Sequence, residues 1–152
     1  MISTLDDLLT GIRTHALVCP AYYADLEWDD ALDQRDSRGP FDSDWGHLYN
    51  ATKPLWSNAS TEVRSQVDTI RKEAFLVVSG ATGQHEIASY VSDDFDLMCR
   101  CLVLGIEHPM TEYLLRAYQT GIFPLPAEYS LQKSNDAQPG ASPNCPRPSG
   151  NR

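Results

Sequence analysis

Two apolar stripes of helical period, following one another around a glycine-bearing turn, constrain this chain most. Val63, Val67, Ile70, Ala74 and Val77 recur at spacings of four, three, four and three. That is the pattern of a helix with one face in a core. Arg64, Gln66, Asp68, Arg71 and Lys72 fall away from it, and Ser60 is placed to cap it. After Gly80 and Gly83, the residues Ile87, Val91, Phe95, Met98 and Leu102 repeat at four, four, three and four. Gly105 is a natural stop for this second helix. In an alternative division Ser92 breaks it and caps a new helix, with Asp93 and Asp94 in the first turn.

The stripes compete with one rival. The run Phe75-Leu76-Val77-Val78 is apolar all round, so it is either deeply buried or a strand. Segments 74–79 and 86–91 can pair as a β-hairpin. The helical reading is preferred because both stripes continue through these segments.

Elsewhere the signals are local. Ser3 and Asp6 suit the start of a helix carrying Leu5, Leu8, Leu9, Ile12 and Ala16, which Pro20 ends. Tyr22, Tyr23, Leu26, Ala31 and Leu32 predict a helix over 21–34. A turn over 37–40 follows, then a short helix capped by Ser43, carrying Trp45, Leu48 and Tyr49 and closed by Pro54. Pro109 opens a last helix with Met110, Leu114, Ala117 and Tyr118 on its apolar face, ended by Gly121. Beyond it composition shifts to Pro, Ser and Asn, and from Ser134 no large apolar residue remains to offset the entropy of ordering. The expectation is a single all-α domain, 1–128, of five or six short helices, with a disordered tail over 129–152. The predicted core holds Leu5, Leu9, Ile12, Val63, Val67, Ile70, Phe75, Phe95, Met98, Leu102, Leu114 and Tyr118, with Trp45 and Trp56 against it.

Charge narrows the function. The chain carries 21 acidic and 12 basic residues, a formal charge of −9. Phosphates would be repelled, which argues against nucleic acid and anionic membranes as partners. No apolar run approaches the ~18–20 residues that span a bilayer. The acidic start lacks a signal peptide's basic region, so a cytoplasmic location is expected. In that setting the acceptor patterns at Asn50 and Asn58 are silent, and Cys19, Cys99, Cys101 and Cys145 are expected as free thiols.

No motif names a chemistry. The glycine fingerprints for dinucleotides and P-loops, the nucleophile elbow and the zinc-protease helix are absent. Ser79 to Gly83 reads as a plain turn, and no cofactor is expected. His15 and Cys19 are four apart, but no further ligand is signposted. His85-Glu86 and Glu107-His108 sit at helix boundaries. The unusual stretch lies between residues 25 and 44, where eight acids meet two arginines. Asp25, Asp29 and Asp33 stack at four-residue spacing on a helix, which destabilises it by about 0.2–0.5 kcal/mol per pair. Tyr22, Tyr23 and Trp28 are interleaved with them.

Three readings of this stretch compete. It is a solvated surface, a recognition face for a basic protein, or a loose divalent-cation site; no window has EF-hand order. Two functions follow. One is a non-catalytic binding protein that docks or inhibits a basic partner protein through Tyr22, Tyr23, Asp25, Glu27, Trp28, Asp29, Asp30 and Asp33. The other is a small helical enzyme built on His15, His47 or the carboxylates Asp93, Asp94 and Asp96, with or without a divalent metal. In size and charge the chain resembles small acidic bacterial inhibitors, such as immunity proteins that guard against a nuclease-type toxin. That resemblance is one of composition, with no motif behind it, and it implies the first function. Oligomeric state is left open.

Overall fold

The computed structural model describes residues 1–134 of the 152, with side chains to residue 132. The expected disorder beyond residue 134 lies outside them. Eight helices and no strand are found among the described residues: α1 (Leu5–Arg13), α2 (Pro20–Asp25), α3 (Trp28–Asp36), α4 (Pro40–Trp56), α5 (Thr61–Thr82), α6 (His85–Leu104), α7 (Pro109–Gln119) and α8 (Pro126–Ser134). The all-α expectation holds, and the hairpin reading of 74–91 does not. Backbone hydrogen bonding is helical up to Thr82, and the chain reverses at Gly83, whose φ of 67° is left-handed.

Helices α5 and α6 form the longest antiparallel pair and pack against each other more extensively than any other two. Ser60 caps α5 by accepting from the Val63 amide at 3.2 Å. Val67, Ile70, Ala74 and Val78 of α5 and Ile87, Val91, Phe95 and Met98 of α6 are buried. The α5 stripe ends on Val78 rather than Val77. Leu76 is exposed, so the apolar run is not enclosed on all sides.

The remaining helices pack around this pair. Helix α1 crosses α5 and α6 with Leu8 and Ile12 inward. Its cap is Thr4, one residue later than expected. The Thr4 hydroxyl accepts from the Asp7 amide at 3.1 Å, and the Asp7 carboxylate accepts from the Thr4 amide at 3.0 Å. Gly11 has no room for a side chain: a Cβ there would lie 2.5 Å from Leu17.

The predicted helix over 21–34 is two. Leu26 is extended, so α2 and α3 are separate. Helix α4 begins at Pro40, before Ser43, and runs through Pro54 to Trp56. Pro54 lies within the last turn, where it withholds one amide donor without ending the helix before Trp56. Helix α8 carries the buried Tyr129, so the boundary expected at 128 falls inside a packed helix.

Leu5, Leu9, Phe75 and Leu102 are partly buried against the core rather than within it, Val63 is partly buried, and Trp45 and Trp56 pack against the core as expected. Cys99 and Cys101 are free and buried. Burial pushes their thiols up to about 12 and about 11. The expectation of four free thiols fails at Cys19, which is disulfide-bonded, and Cys145 lies outside the described residues. No helix of the described residues is long and apolar enough to cross a membrane.

Candidate functional site

Helix α3 has two unlike faces. Trp28, Ala31, Leu32 and Arg35 turn toward the body, while Asp29, Asp30, Asp33 and Asp36 are exposed. The spacing separates them, since steps of three and four keep each set on its own side. Asp25 at the end of α2 and Glu27 in the break are exposed too, as is Asp42 in the first turn of α4. The Asp25–Asp29–Asp33 stack expected on one helix does not form, because the break at Leu26 and Glu27 removes Asp25 from it. Asp29 and Asp33 remain four apart on α3.

Arg35 is the exception within this acidic stretch. It is buried at 6% exposure and points at α6, where Asp94 is fully enclosed. Its two terminal nitrogens donate to the two Asp94 oxygens at 2.9 and 2.8 Å, and one also reaches the Pro124 carbonyl at 3.5 Å. Trp45 Nε1 donates to Asp94 at 3.0 Å, and the Tyr118 hydroxyl donates to the same carboxylate at 2.6 Å. The guanidinium carbon stands 4.8 Å from the Phe41 ring centre, 5.1 Å from Tyr90 and 4.9 Å from Phe123. Burial works against the Arg35 charge, but Asp94 beside it more than offsets this and its pKa rises. A buried ion pair is tolerated when its remaining hydrogen-bonding capacity is filled, as it is here.

A second polar cluster lies further along α6. Asp96 accepts from Arg100 at 3.2 Å and from the Tyr49 hydroxyl at 3.3 Å, with Arg71 at 3.5 Å. Arg71 also reaches Asp93 at 3.2 Å. Arg100 stands over the Tyr49 and Trp56 rings. Ser92 to Asp96 therefore lie in mid-helix, not at a helix start. Asp94 and Asp96 are buried acceptors, where the sequence suggested exposed acids for a helix dipole. Sequence reasoning missed Arg35 and Trp45 as the partners of Asp94, since nothing local marks pairings across 59 and 49 residues.

The expected site residues separate by exposure. Asp25, Glu27, Asp29, Asp30 and Asp33 are exposed, and Tyr22 and Trp28 are half-buried beside them. Tyr23 belongs to the core. It follows Tyr22 by about 100° around α2 and packs edge-on to Phe123. Its hydroxyl is buried without a hydrogen-bond partner among the described residues.

The histidines do not join the carboxylates. His15 follows α1 with a positive φ of 61°, His47 is exposed on α4, His85 stacks on Phe75, and His108 caps α7. Among the described residues no three His, Cys, Asp or Glu side chains come together as a metal site.

The family model described as Immunity protein PIM1 matches residues 7–125. No curated protein and no solved structure matches the chain.

Proposed function

Because this chain belongs to the Immunity protein PIM1 family, we propose that it is a non-catalytic inhibitor that docks a basic toxin protein through the acidic outer side of α2, α3 and the start of α4. The observation that carries this reading is the inward turn of Arg35. The stretch from residue 25 to 44 has two arginines, and one is consumed by Asp94. Arg38 is then the one basic side chain it exposes, against Asp25, Glu27, Asp29, Asp30, Asp33, Asp36 and Asp42. Such a field steers a cationic partner and fixes its orientation. The half-buried rings of Tyr22 and Trp28 supply apolar area beside the charge. Tyr23 backs the surface from the core and does not contact the partner.

The same geometry disfavours the enzyme reading. Asp94 accepts from Arg35, Trp45 and Tyr118, and Asp96 from Tyr49 and Arg100. These carboxylates hold helices together. The reading places the chain in the cytoplasm with its toxin, which cell fractionation tests.

The test is capture of the partner from native cells, with the wild-type chain and with Asp25, Asp29, Asp30 and Asp33 changed to asparagine. The captured protein should be basic, toxic when expressed alone, and harmless when co-expressed with the wild-type chain. Capture should weaken as salt shortens the screening length below ~10 Å. Equal capture and protection by the neutralised variant would remove the proposal.

A further inference from the structure

Beside the Arg35–Asp94 joint lies a hollow of about 190 Å³ between α3, α4 and α6. Arg35 and Phe41 are its buried lining, Trp45 and Tyr90 are half-buried, and Asp42 and Asp93 are exposed. Gly46 completes it, and a Cβ built on Gly46 meets nothing within 4 Å, so there is open space against α4. The charge balance of this lining is negative. The Arg35 charge is matched by Asp94 through two short hydrogen bonds. Asp42 and Asp93 then remain, with Asp93 shared with Arg71 at its exposed edge. Aromatic walls and carboxylates together suit a cation, because ring faces and acids attract it at once.

We propose that this hollow is a socket for one lysine or arginine side chain of the partner. The inference rests on the docking reading above and names one anchor for it. The socket adjoins the exposed acids of α3 through Asp36, which accepts the Tyr90 hydroxyl. A cationic side chain drawn in by the outer acids reaches the rings and the two carboxylates next.

The test uses the chain alone, with N-acetyl-arginine amide and N-acetyl-lysine amide as probes, followed by the Trp45 indole N–H resonance. Uncharged N-acetyl-citrulline amide and anionic N-acetyl-aspartate amide are the controls. The cationic probes should give a saturable shift and citrulline none. Asp42→Asn should weaken binding by about tenfold. Gly46→Leu should abolish it by filling the hollow from a helical position, while removing no hydrogen bond and replacing a weak helix former with a strong one.

No saturable shift with either cationic probe, or an equal shift with citrulline, overturns the socket. A preference for the aspartate probe also overturns it, and means that Arg35 draws an anion there. Gly46→Leu separates this from the parent reading. If that variant still protects against the toxin as the wild type does, the socket fails and the docking surface stands. If the probes bind but no toxin is captured, the docking reading fails and the socket loses its partner.

Discussion

Helices α5 and α6 are joined chiefly by apolar side chains, with Arg71 pairing to Asp93 and Asp96 beside them, whereas α3 and α4 reach Asp94 of the same α6 by charge and hydrogen bonds. Along the first seam Val67, Ile70, Ala74 and Val78 lie with Ile87, Val91 and Phe95 in the core. Burial of that kind is non-directional, and it accepts small changes of shape at modest cost. At the second, Asp94 receives Arg35 from α3 and Trp45 from α4, in one geometry. The contrast teaches that the acidic helix adds one directional clamp, Arg35, to the burial of Ala31 and Leu32, while the α5–α6 pair behind it is positioned chiefly by area.

Alkali should give the largest effect, because tyrosines crowd the polar joint. Burial pushes Tyr23 and Tyr118 well up, and Asp94 raises both further. Tyr90 is pushed up to about 12 by its hydrogen bond to Asp36 and then by burial. Each group holds its proton more tightly folded than unfolded. Its contribution to stability is therefore complete below the ordinary value of 10.0 and is lost as pH rises through the folded value. Between those limits tyrosinate absorbance and helical circular dichroism should change together. Tyrosinate formation with the helices intact would break the comparison.

Next in size is removal of one partner from the joint. Asp94→Ala leaves a buried guanidinium unpaired and should cost about 3–5 kcal/mol in denaturant unfolding. The double substitution Arg35→Met with Asp94→Leu should recover only part of that, since it removes the unpaired charge but leaves the Tyr118 hydroxyl and the Trp45 indole N–H without their acceptor. The apolar seam should respond more gently. Ile87→Val should cost about 0.5–1.5 kcal/mol, and a loss as large as that of Asp94→Ala would erase the distinction.

The smallest effect has the opposite sign. Asp33→Asn relieves repulsion with Asp29 and should stabilise the chain by about 0.2–0.5 kcal/mol, while binding of the basic partner weakens. A variant that folds more tightly and protects less well would separate the outer side of α3 from its inner side.

The hairpin was legible because its signal is periodic and its ends are marked by Ser60, Gly83 and Gly105. The body's other half was legible only as composition. Tyr22 to Gln34 looked like one helix because apolar residues recur through it, and nothing local reveals that Leu26 becomes extended. The exposed acids were found by counting. Their one buried cation was not, because a lone arginine among acids reads as surface. Asp94 lies inside the long helix that the stripe predicts; the alternative start at Ser92 arose because acids beside a serine look like a helix start until their distant partners are known.

The inward turn of Arg35 also bears on how such a chain can diverge. Asp29, Asp30 and Asp33 are exposed while the residues that clamp α3 face the other way. A lineage can therefore rewrite the outer row to follow a changing opponent without renegotiating the interior. Variation tolerated on one side of a single short helix, and forbidden on the other, is the pattern that divergence among its descendants should leave.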